Sequence, residues 1–316
     1  MNRFRFDFDD GRRVENHNQV TMLSYLCIMQ RSGFIFLILI LFQQFVSAQL
    51  TCTKISNLPE KMYETSGLVL IDDKYLVTHN DGGNESELFI INLKDGSFST
   101  VEIEDAKNND WEDITQDTEG NLFIGDFGNN LNKREHCTIY KINAGYHDKK
   151  RVESKKITFT YADQEKYPPE PGQLNFDCEA MIWKDDSLYL FSKCRTEPFT
   201  GLTNIYVLPD APGKYTARKI GSIQLCSSDW RFCSVTAADY SVKQNTLILL
   251  TYSRIYIVSD FEANKFWEGK VKSYQLSFIK QREAICFKDK NTWYMTDEYR
   301  KGLGGGNLYE VKLKKE

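Results

Sequence analysis

Three glutamates carry the most chemistry in this sequence: Glu112, Glu179 and Glu283. Each opens a short β-like phrase. Glu112-Asp113-Ile114-Thr115 is followed by a Gly turn and a second β-rich run at 121–126. Glu179-Ala180-Met181 precedes the run 187–191, and Glu283-Ala284-Ile285-Cys286 precedes 292–297. Two further copies put a hydroxyl at the same place. Ser66-Gly67-Leu68 precedes 75–81, and Thr236-Ala237-Ala238-Asp239 precedes 246–250. If the phrases are equivalent strands around one axis, Ser66, Glu112, Glu179, Thr236 and Glu283 form a ring. Three carboxylates converging on an axis repel one another, and their pKa values rise unless a cation neutralises them. An all-oxygen set of this charge suits a hard ion. Calcium is expected ahead of magnesium because its coordination is larger and more flexible. The absence of His from the ring argues against zinc. The plainer alternative is that these side chains hydrogen-bond backbone and water at a channel mouth.

Such a ring needs a scaffold that repeats. Five copies of one phrase are the mark of a repeat architecture. The first repeat reads as strands 66–71, 75–79, 88–93 and 97–103, with turns at Asp72-Asp73 and Asp95-Gly96. The second reads as 112–116, 122–125, 138–142 and 156–161. The third reads as 179–183, 188–192, 204–208 and 217–225, and the fourth as 236–240, 247–252, 254–258 and 270–277. The fifth has three strands only, 283–287, 293–296 and 308–313, and a spare strand stands at 49–55. The expected fold is therefore all-β: a five-bladed β-propeller whose N-terminal strand closes the last blade. Closure of this kind removes open sheet edges. The Pro-rich stretch 167–172 does not read as a domain boundary, so 49–316 is expected to be a single β-propeller domain.

In a propeller, the loops between the second and third strands open beside the start of the inner strands. Here those loops are long, polar and glycine-bearing, whereas the opposite loops are short turns. Such asymmetry marks a working face. The loops gather Asp81, Asp126, Asp297 and Glu298 as acids or bases, and His79, Lys193, Arg195 and Arg300 as anion contacts. The expected partner is a small molecule, anionic by this charge, or a protein. A calcium ion flanked by Arg and Lys suits a phosphate ester, because metal and cations offset charge on phosphoryl oxygens. For each loop residue the simpler reading is turn formation or a solvated charge.

Bulk composition narrows the class. The chain has 316 residues, 13% aromatic, with a formal net charge of -4. No basic tract points to nucleic acid, and none is expected as a partner. No Gly-x-Ser-x-Gly elbow, HExxH or Walker loop appears. The apolar run 33–42, with Arg31 before it and Val46-Ser47-Ala48 after it, reads as a secretory signal. Residues 1–48 form this signal region, with the true start at Met29 and cleavage after Ala48. The mature chain is then expected to be a monomer without a stable membrane span, secreted, periplasmic or on the cell surface. The alternative is a membrane anchor made by the uncleaved segment, for which the run is short. Of eight cysteines, Cys27 falls in the signal region, so an odd number remains. Cys226 and Cys233 flank a polar loop and can close it; Cys178 and Cys194 lie on adjacent expected strands and can pair. The other reading is that these are small buried apolar residues.

The order hydroxyl, Glu, Glu, hydroxyl, Glu resembles the calcium-activated nucleotidases (apyrases). That resemblance implies a secreted five-bladed propeller with calcium in its channel and hydrolysis of nucleoside di- and triphosphates. The family's longer motifs are absent around these positions, and Thr236 stands where Ser is expected. The chain is also similar to secreted bacterial five-bladed propellers with phrases of the type HNDxGN, DWEDI, GDFGNN and GADY. Here these stand at 79–84, 110–114, 125–130 and 237–240. This second resemblance is closer and implies the fold and export, but no particular chemistry. The resulting expectation is a calcium-stabilised binding scaffold, with a calcium-dependent phosphohydrolase as the alternative.

Overall fold

The structure, a computed structural model, describes residues 50–277 and 279–314. The signal region 1–48, the start at Met29 and the cleavage point after Ala48 lie outside the described residues. The chain opens with β1 (Leu50–Asn57). The first repeat contains β2 (Thr65–Ile71), β3 (Tyr75–Asn80), β4 (Glu87–Asn92) and β5 (Phe98–Glu104). The second contains β6 (Trp111–Gln116), β7 (Leu122–Asp126), β8 (Cys137–Ile142), β9 (Arg151–Glu153) and β10 (Lys155–Tyr161). The third contains β11 (Asp177–Lys184), β12 (Ser187–Lys193), β13 (Leu202–Pro209) and β14 (Gly213–Gln224). The fourth contains β15 (Val235–Ser241), β16 (Thr246–Thr251), β17 (Arg254–Ser259) and β18 (Lys270–Gln275). The last contains β19 (Arg282–Asp289), β20 (Thr292–Asp297) and β21 (Asn307–Leu313).

Within each repeat the strands, β9 apart, run antiparallel in chain order. The last sheet has the order β1-β21-β20-β19, so the first strand of the chain supplies the outer strand that the last repeat lacks. The first strands of the repeats pack on one another in a closed cycle: β2 on β6, β6 on β11, β11 on β15, β15 on β19, and β19 on β2. This closed, radially repeated arrangement is that of a β-propeller. Apolar side chains of successive repeats fill the gaps between sheets, with Trp111 and Ile114 in one gap and Phe123 and Met181 in the next. The second strand of each repeat is buried on both faces. This explains why runs such as Thr-Leu-Ile-Leu-Leu-Thr in β16 read as continuous apolar stretches. The outer strand β18 is largely exposed and polar, whereas β5 alternates, with Val101 and Ile103 buried.

Two parallel pairings lace the outer edges together. β9, which the sequence reading missed because it is three residues long, adds to β5. β10 pairs with β14, so the second and third repeats share one eight-stranded sheet. Among the described residues, no helix is long and apolar enough to cross a membrane.

Cys226 and Cys233 form a disulfide that closes the loop ahead of β15. The expected Cys178–Cys194 pairing does not form: both thiols are free and buried. Cys178 stands opposite Ser192 in the ladder, and Cys194 lies beyond the end of β12. The Cys194 sulfur instead meets the hydroxyls of Thr196 and Thr200, each at 3.2 Å.

Candidate metal and ligand site

A register shift interrupts the innermost strand pair of every repeat. In four repeats the residue left without a ladder partner is Glu112, Glu179, Thr236 or Glu283. A bulge of this kind frees one residue from pairing and re-aims its side chain. In the first repeat the extra residue is Gly67, one position after Ser66. Gly67 has φ of +71°, and a Cβ there would lie 2.6 Å from the Ile114 amide nitrogen. Glycine is therefore needed for the close approach of β2 to β6.

The two hydroxyls act as clasps between inner strands. Ser66 donates to the carbonyl of Glu112 at 2.5 Å, and Thr236 donates to the carbonyl of Arg282 at 2.6 Å. A second layer lies one residue further along. The Asp113 carboxylate accepts the amides of Ile114 at 2.9 Å, Met181 at 2.8 Å and Ala238 at 3.4 Å. It thereby ties β6 to β11 and to β15 across the axis. Asp239 accepts the amides of Tyr240 and Phe287 in the same manner. Burial raises both carboxyls, Asp239 to about 6 and Asp113 well above the ordinary carboxylate range.

The glutamates of the ring divide into different settings. Glu179 forms a buried ion pair with Lys193 at 2.9 Å, and Arg195 approaches it at 3.6 Å. Burial alone would lower the Lys193 ammonium, but Glu179, Tyr252 and Glu283 together outweigh it and hold the charge in place. Arg195 is also paired with Asp177 at 2.6 Å. Glu283 accepts the Tyr252 hydroxyl at 3.0 Å, and burial pushes its carboxyl up to about 7. Glu112 is 6% exposed and forms no ion pair. Burial first, then the charges of Glu179, Asp81 and Asp110, raises it well above the ordinary carboxylate range.

Glu112 belongs to a tight acidic group. Asp81, Asp110 and Glu112 each offer one oxygen, and these oxygens lie within 4.8 Å of one another. Burial lifts Asp81 to about 6. Burial and the charge of Asp177 do the same for Asp110. Two glycines make room for this group. A Cβ at Gly82 would lie 2.5 Å from the Asp110 carboxylate, and one at Gly128 would collide with Asp110 and Glu112. The Asn109-Asp110 turn is held by Asp126, which accepts the Asp110 amide at 3.0 Å and the Asn109 side-chain amide at 2.7 Å. Three hard oxygen donors in a cradle closed by two glycines fit a calcium-sized ion.

The remaining loop candidates separate into buried and exposed groups. His79 is fully buried in edge-to-face contact with Trp111 at 5.4 Å, and burial lowers its imidazole to about 4. It is a neutral interior side chain, contrary to its expected place on the loop surface. Asp297 is fully buried and accepts the Asn307 amide, the Tyr309 hydroxyl and Lys280, closing the last sheet. Glu298 is 5% exposed and is pushed to about 9 by burial and then by Glu283 and Asp81. Its Oε1 has no hydrogen-bond partner. Arg300 is largely exposed and reaches Glu298 at 3.8 Å only.

Sequence reading missed Asp110, Tyr252 and Asp177. For Asp110 a signal existed. It lies two residues before Glu112, and positions two apart in extended backbone share a face. Asp177 carried the same signal, two residues before Glu179 on β11; Tyr252 carried none, because it meets Glu283 from a different repeat.

No family model and no curated protein matches the chain. Solved structures match it by shape. The major allergen Mala s 1 of Malassezia sympodialis superposes with a TM-score of 0.51 at 10% identity, covering 84% of this chain and 95% of that one. The PQQ-bound aldose sugar dehydrogenase of Streptomyces coelicolor gives 0.46 at 9%, covering 85% and 99%. The β-propeller domain of Cps50 (Swd1) from Myceliophteria thermophila gives 0.42 at 8%, covering 84% and 100%. The likeness is of fold alone. At these identities no residue role carries over.

Proposed function

We propose that this protein is an exported five-bladed β-propeller, one domain behind a signal region, that holds calcium at one mouth of its channel. With that ion and the loops around it, it serves as a binding scaffold for a ligand or protein partner. The observation that carries this reading is the convergence of Asp81, Asp110 and Glu112 within 4.8 Å, with none of the three in an ion pair. Glu283 and Glu298 add further carboxylates at the same mouth, as their mutual effects and those of Asp81 imply. A divalent ion would relieve this repulsion. Held by the loop after β3 and by the entry to β6, it would fix the two segments against each other. The Cys226–Cys233 disulfide supports export to an oxidising compartment.

Hydrolysis of phosphate esters asks more of the site. Lys193 and Arg195 would have to face the substrate, yet both are engaged by Glu179 and Asp177. The scaffold reading is therefore the better supported. Calcium titration calorimetry on the purified mature chain tests the ion. One tight site per chain, abolished in Glu112→Gln, is expected; heat indistinguishable from buffer would refute it. Phosphate release from a nucleotide panel, with calcium and with chelator, separates the two roles. Calcium-dependent turnover would overturn the scaffold reading.

A further inference from the structure

Beside the acidic centre, above the last two repeats, lies a cavity of about 670 Å³. Its volume falls in the range of small-molecule sites. One wall is the helical turn Trp230–Cys233, which presents Trp230 and Phe232. The opposite wall comes from Ile279 and from the loop after β20, which brings Leu303 and Arg300. Tyr252 and Glu298 form part of the lining.

Three features of this cavity point the same way. First, Trp230, Ile279 and Leu303 are 46%, 60% and 87% exposed, and all three line this one cavity. Large apolar side chains gathered in water around one concavity mark a binding surface. Secondly, the charged lining is mixed, with Lys280 paired to Asp297 and Arg231 paired to Asp229, and it leaves one exposed guanidinium at the rim. Arg300 is 58% exposed, with only a 3.8 Å approach to Glu298. Thirdly, the walls are braced. The Cys226–Cys233 disulfide ties down the helical turn, whose first amides are capped by Asp229. A backbone bridge between Arg300 and Gly304 closes the facing loop. Braced walls reduce the ordering cost of binding.

We propose that this cavity binds a small organic anion built on an apolar ring system, the ring against Trp230 and the acid group on Arg300. The apolar walls alone would accept any hydrophobic molecule; the exposed guanidinium selects the charged one. The cavity adjoins the acidic mouth through Glu298, but the proposal does not rest on the calcium reading.

Fluorescence titration with 8-anilinonaphthalene-1-sulfonate tests this on the native mature chain. One saturable dye per chain is expected, with binding unchanged by chelator. Its uncharged analogue N-phenyl-1-naphthylamine should bind on the order of tenfold more weakly. Arg300→Ala should remove that preference for the anion, and Trp230→Ala should weaken both dyes on the order of tenfold or more. Leu303→Asp provides a second wall variant at a position too exposed to affect folding, and it should weaken both dyes as well. Equal affinity for the two dyes would reduce the cavity to an apolar patch and overturn the proposal. So would several dyes per chain that ignore all three variants, or no dye bound at all.

Discussion

Lys193 and Glu179 meet at 2.9 Å with side chains only 5% and 3% exposed, so the last residue of β12 neutralises the bulged glutamate of β11 inside the same sheet. A buried pair of this kind is weak evidence for stability, but removing one partner strands the other. Lys193→Met should therefore destabilise the fold by about 3–5 kcal/mol. Adding Glu179→Gln to it should recover a large part of that loss. Urea unfolding of the two variants and the wild type checks this. Equal midpoints for the single and double variants would show that Glu179 takes up a proton once Lys193 is gone, against a stranded charge.

Removing an acid from the Asp81, Asp110 and Glu112 group should have opposite effects with and without metal. Without metal, Asp110→Asn relieves repulsion and should raise the melting temperature. With calcium present, the wild type should gain several degrees and the variant much less. A thermal melt series against calcium concentration reads both effects. A calcium shift of equal size in both proteins would place the ion elsewhere.

The acidic mouth sets the sign of the pH response. Folding raises Glu283 to about 7 and Glu298 to about 9 from an ordinary value of 4.5. Between the unfolded and folded values the native state holds protons that the unfolded chain has released, so stability falls as pH rises. Metal-free protein should be most stable near the unfolded carboxylate value and weaken steadily up to about pH 9. Saturating calcium should flatten this slope, because the ion takes the place of the protons. Denaturant midpoints measured across that range, with chelator and with calcium, check both the sign and the flattening.

Gly128 should be essential to the site and of little consequence to the rest of the fold. A Cβ there collides with the Asp110 and Glu112 carboxylates, whose end of the loop can shift. Gly128→Ala should lower calcium affinity at least about tenfold, or about 1.4 kcal/mol, while the protein stays folded. Gly67→Ala should behave differently. It combines a left-handed φ with backbone contact at 2.6 Å, and should cost at least about 2 kcal/mol of stability. Far-ultraviolet circular dichroism and calorimetry on both variants distinguish the two outcomes.

The sequence alone determined the strands other than β9, the repeat and the closure by β1. These follow from local pattern: alternation, turn residues and a phrase that recurs often enough to align. The missing outer strand of the last repeat called for the spare one at the start. The division of labour within the ring was decided only by tertiary structure. Glu179 and Glu112 look alike in sequence, yet one is neutralised by Lys193 and the other shares a cradle with Asp81 and Asp110. Ser66 and Thr236 look like ring ligands but clasp neighbouring strands. His79 looks like a loop histidine but packs on Trp111 inside the core. In each case the deciding partner comes from another strand or loop. A pattern of spacing records which face a side chain leaves from, but not which charge it meets when the sheets close around the axis.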